Sequence, residues 1–154
     1  MVSDFFGTLL QELGESLKIK DLHLDEHNSC LIKFPSGLEI QVEPDSREEF
    51  LVIGTTIGVV PAGRYRETIF REALKANSMP LPRYGVFAFS TKTENLILFD
   101  TLHMKDLTGT KVFDHLSAFA EKALTWKEAL SHGDVPSIHG SYSGTHTGMF
   151  GMKS

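Results

Sequence analysis

Hydrophobic positions recur along this chain with two different periods, and the switches between them mark out its elements. From residue 3 to 17, Phe6, Leu9, Leu10, Leu13 and Leu17 return at helical spacing. Ser3 is placed to cap that helix, and Asp4 suits its positive end. Gly7 and Gly14 each weaken it by about 1 kcal/mol relative to Ala, so the helix needs a surface to dock on. The period then shortens. Residues 29 to 34 read SCLIKF, Pro35-Ser36-Gly37 signals a turn, and LEIQVEP (38 to 44) alternates strictly. Leu38, Ile40 and Val42 share one face of that strand, and Glu39, Gln41 and Glu43 share the other. After a break at Asp45-Ser46-Arg47, residues 50 to 60 (FLVIGTTIGVV) are apolar on both faces, which predicts a long central strand bent or bulged at Gly54 or Gly58.

Pro61 and Gly63 separate this strand from a second helix over about 64 to 78. Its stripe is Tyr65, Ile69, Ala73 and Ala76, with Phe70 and Leu74 beside it. So wide an apolar arc predicts burial on more than one side. YGVFAFS (84 to 90) and NLILFDTL (95 to 102) follow as a hairpin through the polar connection TKTE, both strands apolar on both faces apart from Asp100 and Thr101. Val112, Leu116, Phe119, Ala123, Trp126 and Leu130 then step alternately by four and three, which predicts a long amphipathic helix over 109 to 131. The order is α-β-β-β-α-β-β-α, an α+β domain spanning residues 1–132. The remainder, GDVPSIHGSYSGTHTGMFGMKS (133–154), lacks periodicity and reads as a flexible Gly, Ser and His-bearing tail.

At 154 residues the chain has the size of one domain with a substantial core. A formal charge of −5 and a pI near 5.8 leave no basic footprint for nucleic acid or anionic lipid. Cys30 is the one cysteine, so no internal disulfide forms, in keeping with a reducing compartment. The opening MVSDFFGTLLQEL carries Asp4 and Glu12 with no leading Lys or Arg, a poor signal peptide, and no apolar run is long enough to span a bilayer.

Motifs that bring chemistry are missing. Gly109-Thr110-Lys111 lacks the rest of a phosphate loop. Gly140-Ser141-Tyr142-Ser143-Gly144 has tyrosine where a nucleophile elbow needs serine. Cys30 lies between apolar strand neighbours with nothing to lower its pKa, so a buried structural thiol is expected. His23 and His27 lie on a strand-and-turn stretch where their spacing does not converge on a metal, and His139 and His146 fall in the tail. His103 and His115 flank the last loop and are within reach of each other. Glu39 and Glu43 fit a solvated strand face. The expectation is therefore no catalytic residue, no metal and no cofactor.

What remains is apolar surface beyond the needs of a single core: the wide arc of the second helix and the two-faced hairpin. A dimer accounts for one excess and a bound partner for the other. Here the sequence resembles the class I type III secretion chaperones, the Tir chaperone group and its Yersinia relatives. The resemblance covers about residues 5 to 131. It rests on the element order, the small acidic composition and FFGTLLQELGESL, CLIKF, LEIQVEP, IFREALKAN, GVFAFS and NLILFD. The most specific part is a helix ending in Ala-Asn, an apolar strand, a polar turn, a Leu-rich strand and a long final helix. FLVIGTTIGVVPAG is a departure from the shorter, Leu-richer text usual there.

The resemblance implies a twisted antiparallel sheet with three helices, a homodimer in the bacterial cytoplasm and no active site. It implies that the protein holds the N-terminal chaperone-binding segment of one or more secreted effector proteins in extended form, and that a secretion ATPase later receives the complex. By that analogy the effector-binding residues are Phe6, Leu9, Leu10, Leu13, Leu31, Ile32 and Phe34. The dimer contact falls on Tyr65, Ile69, Phe70, Leu74, Phe87 and Phe89. Two rival readings stand beside it. A small-ligand-binding or enzymatic α+β domain predicts a deep polar pocket around His103, His115 and Asp100. A scaffold subunit predicts a fixed hetero-oligomer.

Overall fold

A computed structural model describes residues 2–18, 22 and 24–136, with side chains from Phe5 onward. The readings made for His23, His139, His146 and the tail from residue 137 lie outside the described residues. The elements are α1 (Val2–Leu17), β1 (Cys30–Lys33), β2 (Glu39–Pro44), β3 (Phe50–Val59), α2 (Arg64–Asn77), β4 (Val86–Ser90), β5 (Asn95–His103) and α3 (Gly109–Ser131). This is the order read from the sequence, with α1 beginning one residue before Ser3.

Local chemistry sets the breaks between elements. Asp25 Oδ1 accepts hydrogen bonds from the N–H groups of His27 and Ser29, and Asp45 Oδ1 accepts from those of Glu49 and Phe50. These turns precede β1 and β3. The same bonds hold both exposed carboxyls below the usual range. Gly63 sits at φ 137° immediately before α2, a conformation that a side chain resists. Past α2, Pro80 and Pro82 prevent the helix from continuing. Thr108 caps α3, its hydroxyl accepting from the N–H of Lys111 at 3.2 Å.

The strands form one antiparallel sheet in the order β1-β2-β3-β5-β4. The expected irregularity in the central strand is a register shift between Thr56 and Gly58. Alternation sorts the side chains into two faces. Cys30, Ile32, Ile40, Val42, Ile53, Leu98 and Phe87 are buried and pack with Phe6, Leu9, Leu10 and Leu13 of α1, Ile69 and Ala73 of α2, and Leu116, Phe119 and Trp126 of α3 in one core. The opposite face carries Leu31, Gln41, Thr56 and Phe99, all exposed. The Cys30 thiol is fully buried, as the sequence suggested, and burial pushes its pKa up.

Candidate partner-binding surfaces

The open face of the sheet is built by strand register. Leu31 lies opposite Gln41, Gln41 opposite Gly54, Gly54 opposite Phe99, and Phe99 opposite Val86. The next row includes Thr56, Ile97 and Ala88. Leu31 is 50% exposed and Phe99 39% exposed. Gly54 has no side chain, so the middle of this face sinks. A depression of about 470 Å³ is lined by Leu31, Glu39, Gln41, Gly54, Thr56 and Ile97 and rimmed by Lys127 of α3. Its walls mix apolar side chains with polar ones, among them Glu39, which is paired with the exposed Lys33 at 3.7 Å.

A second apolar surface lies where α2 runs along β4, the last strand of the sheet. A groove of about 170 Å³ is lined by Phe70, Ala73, Leu74, Asn77, Phe87, Ala88, Phe89 and Leu96. Phe70 meets Phe89 edge-on with ring centroids 4.8 Å apart, and the Arg66 guanidinium lies 4.8 Å from the centre of the Phe89 ring. Leu74 stands 67% exposed at its rim.

These surfaces use only some of the residues named from the sequence. Phe6, Leu9, Leu10 and Leu13 are each at most 4% exposed, and Ile32 is fully buried. Within the protomer these five serve the core, because α1 spends its apolar stripe on the contact with α3 and the sheet. Leu31 is on the surface and Phe34 is half-buried. On the α2 side, Ile69 is fully buried and Phe87 nearly so, packed against Trp126 at 4.2 Å between ring centroids. Phe70, Leu74 and Phe89 remain at the groove. Tyr65 is held elsewhere, its hydroxyl donating to the Asp134 carbonyl at 2.6 Å, and burial raises its pKa. Phe99 and Ile97 were missed as surface residues, although NLILFD alternates and Leu96 and Leu98 take the inner face.

Of the three polar residues named for a pocket, the structure brings His115 and Asp100 together and leaves His103 apart. His103 stacks on Phe50 at 4.9 Å, whereas His115 Nε2 contacts Asp100 Oδ2 at 2.7 Å and its ring meets Tyr84. Burial alone would raise the Asp100 carboxyl. The His115 bond, the Thr101 N–H and the nearby His115 and Lys122 charges together hold it below its ordinary range. Lys122 donates to the carbonyls of Arg83 (2.8 Å) and Gly85 (2.9 Å), tying α3 to the segment ahead of β4. Its pKa falls to about 8, chiefly through burial; Asp100 opposes that fall and Arg83 adds to it. The cluster thus joins α3, β5 and the approach to β4. Among the described residues no group of His, Cys, Asp and Glu is arranged to hold a metal ion, and no helix is long and apolar enough to cross a membrane.

The sequence pattern of the Tir chaperone protein (CesT) family matches residues 8–127, and the chain belongs to that family. No curated protein matches it by sequence. Among solved structures, it is similar to the Yersinia pestis type III secretion chaperone SycH in complex with a stable fragment of YscM2. The match has 18% identity and a TM-score of 0.64, covering 79% of this chain and 98% of that one. The HopA1–SchA chaperone–effector complex matches at 17% identity and TM-score 0.61, over 81% and 94% of the two chains. The ExoT–SpcS complex of Pseudomonas aeruginosa matches at 11% identity and TM-score 0.59, over 78% and 95%. These likenesses show a shared fold of three helices and a five-stranded antiparallel sheet.

Proposed function

We propose that this protein is a type III secretion chaperone that holds the N-terminal segment of one or more effector proteins extended and competent for secretion. The observation that carries this reading is the apolar surface of exposed Leu31 and Phe99 with half-buried Ile97 on the open face of the sheet. It lies beside a depression to which, among the described residues, α3 contributes Lys127 at the rim. A disordered segment ordered on binding gives up roughly 2 to 5 kcal/mol. A long shallow surface offsets that cost better than a small pocket does.

The effector contacts proposed are Leu31, Phe34, Ile97 and Phe99. Phe6, Leu9, Leu10, Leu13 and Ile32 shape the scaffold beneath them. The homodimer contact proposed is the groove of Phe70, Leu74 and Phe89, backed by Phe87 and Ile69. A permanent dimer buries about 2,000 Å² or more of mainly apolar surface. An exposed leucine beside two aromatic rings on α2 and β4 supports placing that contact here. Delivery to a secretion ATPase and residence in the bacterial cytoplasm complete the reading. Asp100 and His115, the polar pair named for a catalytic alternative, link strand to helix.

The test is capture of the protein from native extract, with its bound material mapped by limited proteolysis and mass spectrometry. A protected N-terminal segment of a secreted protein is the expected result. A folded partner in fixed ratio would instead indicate a scaffold subunit.

A further inference from the structure

Asn77, the last residue of α2, binds the main chain of β4 at two points. The Phe87 N–H donates to Asn77 Oδ1 at 2.8 Å, and Asn77 Nδ2 donates to the Phe87 carbonyl at 3.0 Å. The side-chain amide therefore makes the pair of bonds that a neighbouring strand residue would make. β4 is the last strand of the sheet, so this is its outer edge. In an antiparallel ladder the outward-facing residues alternate. Phe87 and Phe89 are consequently the residues of β4 whose N–H and C=O groups face away from β5. Asn77 fills the first pair, while at Phe89 the contacts of Phe70 and Arg66 are to its ring. The other edge differs. On β1 the single bridge from Leu24 meets Cys30, and among the described residues no side chain hydrogen-bonds along Leu31–Lys33.

We propose that Asn77 is an edge lock that closes β4 to strand addition. Unpaired strand edges template pairing with other chains, and proteins that present apolar edges need a device against it. Here that device lies at the floor of an apolar groove where an extended chain would otherwise settle. A second copy meeting this groove then does so through side chains, without merging two β4 strands into one sheet. The lock also gives the Ala76-Asn77 ending of α2 a physical role: Ala76 is buried against the core while Asn77 reaches the strand. For the effector segment of the proposed function, strand addition is directed to β1; that consequence rests on that reading, whereas the lock does not.

The test needs no effector. Amide hydrogen exchange is measured residue by residue on the full chain, for wild type, Asn77→Ala and Asn77→Asp. Ala removes both bonds, whereas Asp keeps the acceptor for the Phe87 N–H. Exchange at Phe87 should quicken about tenfold or more in Asn77→Ala and clearly less in Asn77→Asp, which keeps the acceptor for the N–H but sets a carboxylate oxygen against the Phe87 carbonyl, with Ile40, Ile53 and Leu98 unchanged in both. Light scattering over a concentration series should show Asn77→Ala forming assemblies larger than those of wild type, with the Phe89 amide protected within them. Equal Phe87 protection in all three proteins overturns the lock. So does a uniform loss of protection across the sheet in both variants, which would mark Asn77 as helix-end support only. An unchanged size distribution in Asn77→Ala overturns its role against strand addition. A missing effector in the extract leaves these outcomes untouched, so the two proposals fail separately.

Discussion

The carboxylate of Glu12 in α1 accepts a hydrogen bond from the main-chain N–H of Gly109 at 2.8 Å, joining the first helix to the start of the last. The N–H groups of a helix's first turn have no partner within the helix, and a carboxylate there is favoured by their charge. The approach is close because residue 109 has no side chain. A Cβ added to it would lie 2.2 Å from the Glu12 Cβ. Gly109→Ala should therefore force α1 away from α3 and cost about 1 to 3 kcal/mol of stability, read from urea unfolding midpoints. Glu12→Gln keeps the shape and should cost less. Equal stability of Gly109→Ala and wild type would show that the helices separate freely.

Leu31 and Leu10 make opposite predictions although both were named for effector binding. Leu31 stands on the open face, so Leu31→Asp should leave the protein folded and lose the captured segment. Leu10 is 4% exposed, and Leu10→Asp places a charge in the core at a cost of about 3 kcal/mol or more. Loss of the cooperative thermal transition is the expected outcome there. Full retention of cargo by Leu31→Asp would move the binding surface off the sheet.

The same contrast separates Leu74 from Ile69 on α2. Leu74→Asp should yield folded monomers by light scattering, with circular dichroism unchanged. Ile69→Asp should unfold the protomer, since Ile69 has no exposed surface. A dimer that survives Leu74→Asp places the interface elsewhere.

Lys122 makes stability depend on pH in the direction opposite to that of a stabilising lysine ion pair. Its pKa in the fold is about 8, against 10.5 in the free side chain. Between those values the unfolded chain binds more protons than the folded one, so this group's contribution to stability rises with pH. Cys30 and Tyr65, whose pKa values are raised, act in the other sense. Comparing wild type with Lys122→Met cancels their effects. From about pH 7.5 to about pH 10 the difference in unfolding midpoint should shift in favour of wild type. A difference independent of pH would show that the ammonium is as well solvated folded as unfolded.

Local pattern by itself determined much of this protein. Periods of two and of nearly four separate strands from helices. Asp45, Pro61, Gly63 and the prolines after Asn77 stop them for reasons contained within a few residues of chain. The central irregularity near Gly58 and the inert burial of Cys30 follow from the same short-range information. What the tertiary structure decided is which apolar side chains remain uncovered. A helical stripe shows that Leu10 and Leu13 need a partner surface, but not that α3 of the same chain supplies it. Conversely, NLILFD is apolar on both faces and does not say which one is covered. Phe99 becomes surface, beside the Leu31 already named for a partner, because Leu96 and Leu98 take the face on which the core packs. Asn77 is the sharpest case: nothing in IFREALKAN says that its last side chain will bond to a strand ten residues later. That bond exists only once β4 has paired with β5 and turned Phe87's main chain outward.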